Sequence, residues 1–233
     1  MALPTLLLTR PRESAEAFAA TLDPAARAAV HILIAPLMDI AGTDVAVALE
    51  AGEGAIFTSA NGVRFAPDGG GRRAFCVGSQ TTTRAQARGW QAVQAGDTAE
   101  QLVKTLRAQP PGLPLWHLGG EHTIGDIAEK LSADGIPTYH LTLYHQRLLS
   151  LPSAALLALG APCILPVFSQ RTAQSLVDQA GNQLSHAHVI ALSESVAVPF
   201  DGKTTAKCLI LPAPQAIYMR KAVENLCLTL SLP

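Results

Sequence analysis

The sequence predicts an α/β protein of two parallel-sheet lobes joined by a two-stranded β linker, with the first lobe discontinuous along the chain. Short apolar, strand-like runs alternate with helical segments almost throughout, and repeated βα units build parallel sheets with helices on both faces. Extended segments at 36–40 and 138–148 break that rhythm. The 233 residues suffice for two small domains.

Leu6-Leu7-Leu8-Thr9 reads as the first strand and is ended by Arg10-Pro11. Proline suits the first turn of the helix that follows, which carries Ala15, Phe18, Ala19 and Leu22 on one face. The next strand is expected at 30–35, and others near 55–58, 74–77, 91–94, 114–118, 163–168, 188–192 and 207–211, with helical segments between most of them. The last helix, from about Pro214, sets Ala216, Met219, Val223, Leu226 and Leu230 on one stripe. The early extended piece and the late one (TYHLTLYHQRL) are expected to pair as the linker. The partition is then 1–35 with 149–233 as the first domain, 36–40 and 141–148 as the linker, and 41–140 as the second domain.

Composition excludes several classes. With 48% apolar and 15% charged residues the chain is globular rather than disordered. No apolar run approaches the roughly 20 residues that span a bilayer, and Leu6-Leu7-Leu8 is too short for a signal peptide. A cytoplasmic protein with no membrane partner is expected. The formal charge of −1 gives no field to recruit nucleic acid. Cys76, Cys163, Cys208 and Cys227 are far apart and form no CxxC pair, so they read as small hydrophobes.

Ligands of α/β proteins bind outside the carboxyl ends of parallel strands. There stand Thr9-Arg10-Pro11, Thr58-Ser59-Ala60-Asn61-Gly62, Gly78-Ser79-Gln80-Thr81, Gly119-Gly120-Glu121, Ser169-Gln170-Arg171-Thr172 and Ser193-Glu194-Ser195. Taken singly, each hydroxyl reads as a helix cap. Taken together, they offer amides and hydroxyls suited to a ligand that bears carboxylates. GxGxxG, GxxxxGK[ST] and GxSxG are all missing, which removes the best support for dinucleotide, nucleotide or hydrolase chemistry. His117, His122, His186 and His188 lack partners at metal-ligand spacing and read as satisfied or solvent-facing histidines. No metal and no cofactor is expected.

In order along the chain, LLLTRPRESAEAF, AIFTSANGVRF, FCVGSQTTTRAQARGW, LWHLGGE, TLYHQRL, ILPVFSQRTAQSL, VIALSESVA and the terminal helix resemble uroporphyrinogen-III synthases. The resemblance spans essentially the whole chain. It implies two α/β lobes joined by a two-stranded ladder, and hydroxymethylbilane as substrate, with acetate and propionate groups on all four pyrroles. It further implies a cofactor-free monomer whose product, uroporphyrinogen III, feeds haem, sirohaem and cobalamin pathways. Carried over by position, Thr58, Ser59 and Asn61 line the cleft from the second lobe, with Thr81 beside them. Gly119 and Gly120 match the family's strand-end glycines, Ser169 and Ser195 face them from the first lobe, and Arg10 lies at the first strand end. Tyr144 matches the linker tyrosine, the candidate catalytic side chain. Gln170 stands where many members have proline, and FAPDGGGRR (65–73) is short and glycine-rich where the family has a longer helix, which is expected to loosen the second lobe.

The implied reaction asks little of side-chain chemistry. A pyrrole nitrogen expels the hydroxymethyl oxygen to give an azafulvenium-like cation. The substituted carbon of the far pyrrole attacks it, and a spiro intermediate fragments and recloses with that ring inverted. Positioning is worth about 7–11 kcal/mol in favourable cases, and a mild acid at the leaving hydroxyl adds about 10²–10⁴-fold. The competing reading is a non-enzymatic two-lobe small-ligand binding or sensor protein.

Overall fold

The computed structural model describes residues 3–121, 126–203 and 208–230. The chain divides into two compact units, Met1–Asp39 with Arg147–Pro233, and Ile40–Gln146.

In the first unit, strands β1 (Thr5–Leu8) and β2 (His31–Ile34) are separated by helices α1 (Arg12–Thr21) and α2 (Pro24–Ala28). Pro11 precedes α1 as its cap residue, and Asp23 caps α2 by accepting from the Ala25 amide. The second unit contains β4 (Gly54–Phe57), α3 (Ala60–Phe65), β5 (Arg73–Val77), α4 (Ser79–Ala87), β6 (Gln91–Gly96), α5 (Ala99–Ala108), β7 (Leu115–Gly120) and α6 (Ile127–Ala133). Strands β3 (Met38–Gly42) and β8 (Thr138–Leu148) carry the chain out of and back into the first unit. That unit then resumes with α7 (Ser153–Leu159), β9 (Cys163–Val167), α8 (Gln170–Ala180), β10 (Ala187–Ala191), α9 (Glu194–Ala197), β11 (Leu209–Ile210) and α10 (Ala216–Leu230).

The first sheet runs β11-β10-β9-β1-β2, parallel throughout. Side-chain alternation splits β1 between its two faces. Leu7 joins the core under α7 and α8, while Leu6 and Leu8 join the one under α1 and α10. On α1 the expected face of Ala15, Phe18, Ala19 and Leu22 is buried. On α10 the stripe differs from expectation: Met219, Val223 and Cys227 are buried, but Ala216 is exposed at the helix start.

The second sheet runs β3-β8-β7-β4-β5-β6. The pairs from β8 to β6 are parallel. Bonds from Thr43 to Leu143 and from Leu149 to Leu37 run in opposite senses along the chain, so β3 and β8 are antiparallel. Both crossing strands are therefore continuous with the second sheet. Ala55 and Phe57 face one core, and Ile56 faces the other.

The glycine-rich segment 65–73 is tied down rather than loose. The Gly69 amide donates to the Arg88 carbonyl, and the Gly71 amide to the Gly89 carbonyl. Arg88 spans the segment with bonds to the carbonyls of Val63 and Arg64 and to Asp68. A Cβ at Gly69 would lie 2.5 Å from the Trp90 backbone, so glycine is what lets the two turns close.

Cys76, Cys163 and Cys227 are buried, and Cys208 is half-buried. Burial pushes Cys163 up to about 12 and Cys76 and Cys227 up to about 11. Among the described residues no cluster of His, Cys, Asp and Glu could hold a metal ion, and no helix is long and apolar enough to cross a membrane.

Candidate active site

The carboxyl end of β4 positions two hydroxyls with different partners. Thr58 is half-buried, and its Oγ1 lies 3.2 Å from Nε2 of His117 on β7. The next residue, Ser59, caps α3 by accepting from the Gly62 amide at 3.2 Å, and its Oγ lies 3.0 Å from the Tyr144 hydroxyl on β8. Consecutive strand-end side chains leave on opposite faces, which sends the pair to different neighbours.

Tyr144 reaches Ser59 because β8 is irregular. In the β7–β8 ladder Gly119 pairs with Thr142, but Gly120 pairs with Tyr144, so Leu143 is skipped. Leu143 and Tyr144 both enter the same core, which consecutive residues of a regular strand do not do. The phenol ring is stacked on Phe65, with centroids 5.6 Å apart, and lies directly over Gly120. A Cβ on Gly120 would sit 2.6 Å from Cε2 and 2.8 Å from Cζ of Tyr144, so only glycine fits beneath it. The ring is 5% exposed and closely fixed. Just beyond, the Glu121 amide donates to the Tyr144 carbonyl, and the Glu121 carboxylate lies 3.0 Å from Nδ1 of His145.

His117 is 1% exposed. Burial, and then the neighbouring His140, lowers its pKa to about 4, so the imidazole is neutral at physiological pH. His140 faces it across the ladder with ring centroids 5.2 Å apart. Burial lowers the pKa of His140 too, against a hydrogen bond to the Gly120 backbone that raises it. Among the sequence candidates, then, the structure gathers Thr58, Ser59, Gly120 and Tyr144, with Gly119 beside Gly120. Asn61 is half-buried in the first turn of α3. Thr81 is only 6% exposed inside α4, whose exposed opening residues are Ser79 and Gln80. Gly119 and Gly120 end a strand rather than open a helix, and His122 lies outside the described residues.

In the first unit the strand ends are bonded locally. Ser169 caps α8 through the Thr172 amide at 3.2 Å, and its Oγ lies 2.7 Å from Thr172 Oγ1. Ser193 and Ser195 bond each other at 3.0 Å, with Ser195 exposed. Arg10 stands at the end of β1 with its guanidinium carbon 4.1 Å from the Phe168 ring centroid. Burial lowers its pKa, yet a guanidinium remains charged. The face-on contact orients a fixed cation at the strand end.

The sequence reads His117 as a satisfied or solvent-facing histidine and announces neither its partner nor those of Gly120 and Phe65. The Phe57-Thr58-Ser59 turn was a visible signal. The partners lie 59 and 85 residues away from Thr58 and Ser59, respectively, and no local pattern announces them.

Residues 16–209 match the family model described as uroporphyrinogen-III synthase HemD. The chain is also similar in structure to uroporphyrinogen-III synthetase from Helicobacter pylori, with a TM-score of 0.66 and 14% identity over 98% of this chain and 99% of that one. A mutant uroporphyrinogen III synthase from Thermus thermophilus gives a TM-score of 0.52 and 15% identity over 97% of this chain and 99% of that one. At such identities the two likenesses speak to the fold. No curated protein sequence matches.

Proposed function

The chain belongs to the uroporphyrinogen-III synthase family, and from that premise we propose that it closes hydroxymethylbilane to uroporphyrinogen III with Tyr144 as the acid, as a cofactor-free cytoplasmic monomer. The observation that carries the assignment of Tyr144 is its contact with Ser59, made where β4 and β7 end beside the middle of β8.

Ser59 accepts the Gly62 amide proton and keeps its own. In this reading the Ser59 hydroxyl donates to the Tyr144 oxygen, which leaves the phenol O–H to donate toward the departing hydroxyl of the bilane. The pyrrole nitrogen supplies the electron pair that breaks the carbon–oxygen bond, and the hydroxyl leaves as water. Attack by the substituted carbon of the last pyrrole gives the spiro intermediate. Its older bond to the neighbouring methylene breaks, and that methylene recloses on the free α-carbon of the inverted ring. The proton lost there replaces the one the phenol gave. The protein's remaining task is to hold the bilane so that this carbon, rather than the free α-position, meets the cation.

Thr58 is a hydroxyl donor for a substrate carboxylate in the second unit. Arg10 is the first unit's candidate for another, through a bidentate guanidinium contact. Ser169 spends its hydrogen bonds on Thr172, and its assigned role is capping.

The test is to incubate the protein with hydroxymethylbilane, oxidise the product and resolve the isomers. The type III isomer should dominate. Type I alone, at the rate of unassisted closure, would leave only the small-ligand binding reading.

A further inference from the structure

We propose that His117 is a positioning residue for substrate binding: its Nε2–H donates to the Thr58 hydroxyl oxygen and so reserves the Thr58 proton for a carboxylate of the ligand. This rests on the reading of Thr58 as a substrate donor.

A threonine hydroxyl has one proton and two lone pairs. Thr58 is half-buried, with His117 at 3.2 Å on its buried side. If Thr58 gave its proton to Nε2, only lone pairs would face outward, and an approaching carboxylate would be repelled. If Nε2 carries the proton instead, the hydroxyl oxygen is satisfied from within the sheet and its O–H is free to donate outward.

The second arrangement is the one that leaves Thr58 a donor on its open side. The imidazole is almost fully buried, 1% exposed, and neutral, so it has one donor nitrogen and one acceptor. The Nε2–H form is also the more stable tautomer of free histidine. Strand pairing fixes the ring: His117 sits in register with Ile56 on β4 and with His140 on β8. Thr58 follows Ile56 by two residues and so leaves the sheet on the same face. A buried imidazole beneath a strand-end hydroxyl thus sets the direction of a hydrogen bond that a lone hydroxyl would leave undetermined.

Two measurements test the proposal. Nitrogen-15 NMR of the wild-type protein reports the tautomer, and His117 should carry its proton on Nε2. Steady-state kinetics with hydroxymethylbilane should then show Thr58→Val raising KM by roughly 5- to 30-fold with a smaller change in kcat. His117→Leu, which leaves the Thr58 O–H able to donate but no longer directed, should raise KM by a smaller factor. Combined with Thr58→Val it should add little, because without the hydroxyl His117 has nothing left to direct. His117→Gln, whose amide can donate from a similar position, should stay near wild type. If His117→Leu fails to fold, the tautomer and the Gln variant still decide.

A proton on Nδ1 would overturn the proposal. So would an unchanged KM in His117→Leu while Thr58→Val raises it, a result that keeps Thr58 as a ligand and removes only His117. An unchanged KM in Thr58→Val would remove the ligand role of Thr58 and this proposal together, whereas the isomer assay would still judge the enzyme's activity by itself.

Discussion

The ends of β4 and β9 begin alike and finish differently. Both strands run through an apolar core into a serine with nearly the same extended backbone, φ −151° and ψ 155° at Ser59, φ −147° and ψ 145° at Ser169. Both serines accept from the amide three residues on, at 3.2 Å. They part over the remaining hydroxyl contact. Ser169 turns to Thr172 in its own helix, whereas Ser59 turns to Tyr144 across the sheet. Thr58, beside Ser59, likewise reaches across to His117. A local cap stabilises a helix end. A bond to a fixed side chain on another strand also orients a group, and orientation is what this reaction demands.

The largest expected effect lies at His117, on the cross-sheet side of that comparison. Its folded pKa of about 4 lies below the unfolded value of about 6.5, so the unfolded chain binds the extra proton first. Stability is full above pH 6.5 or so and is lost as pH falls toward about 4, by up to about 3 kcal/mol. Urea unfolding from pH 7 to 4 should show this loss in the wild type, and His117→Gln should flatten it. An equal slope in both proteins would show that His117 is not the titrating group.

Gly120→Ala comes next. A methyl 2.6 Å from the Tyr144 ring forces ring or backbone to move, at a cost of about 1–3 kcal/mol in stability. A displaced ring should also lower kcat, so thermal unfolding and turnover should fall together. Unchanged turnover in a destabilised variant would separate the placement of Tyr144 from catalysis.

The smallest effect is local. Ser169→Ala should cost about 0.5–2 kcal/mol of stability, the ordinary value of a cap, with turnover little affected. Ser59→Ala should show a similar stability loss together with slower turnover, because it also releases Tyr144. Equal kinetic losses in both variants would erase the distinction between the two strand ends.

The fold was legible because burial leaves periodic marks. The alternation of Leu6, Leu7 and Leu8 across two cores, and the helical spacing of Ala15, Phe18, Ala19 and Leu22, follow from the periods of strand and helix. The bulge at Leu143 was not legible. No glycine or proline marks it, and two adjacent apolar residues in a strand read equally well as regular pleating. Capping hydroxyls were visible, yet their chain neighbours could not separate Ser59 from Ser169. The difference lies in a tyrosine 85 residues away, brought near by strand order and a skipped residue. Exposure at the opening of α4 was not legible either: Thr81 is buried, while Ser79 and Gln80 stay exposed.

Whether the Tyr144 hydroxyl, beside Ser59 and over Gly120, assists departure of the substrate's hydroxyl is decided by Tyr144→Phe. The change removes one oxygen and keeps the ring that stacks on Phe65, so the fold should persist. Loss of one transition-state hydrogen bond should cost about 1–3 kcal/mol, roughly 5- to 150-fold in kcat. Slower turnover should leave more bilane to close unassisted, so the fraction of type I isomer should rise alongside. A Tyr144→Phe protein with wild-type kcat and a wild-type isomer ratio would contradict the account and leave Tyr144 as a packing residue.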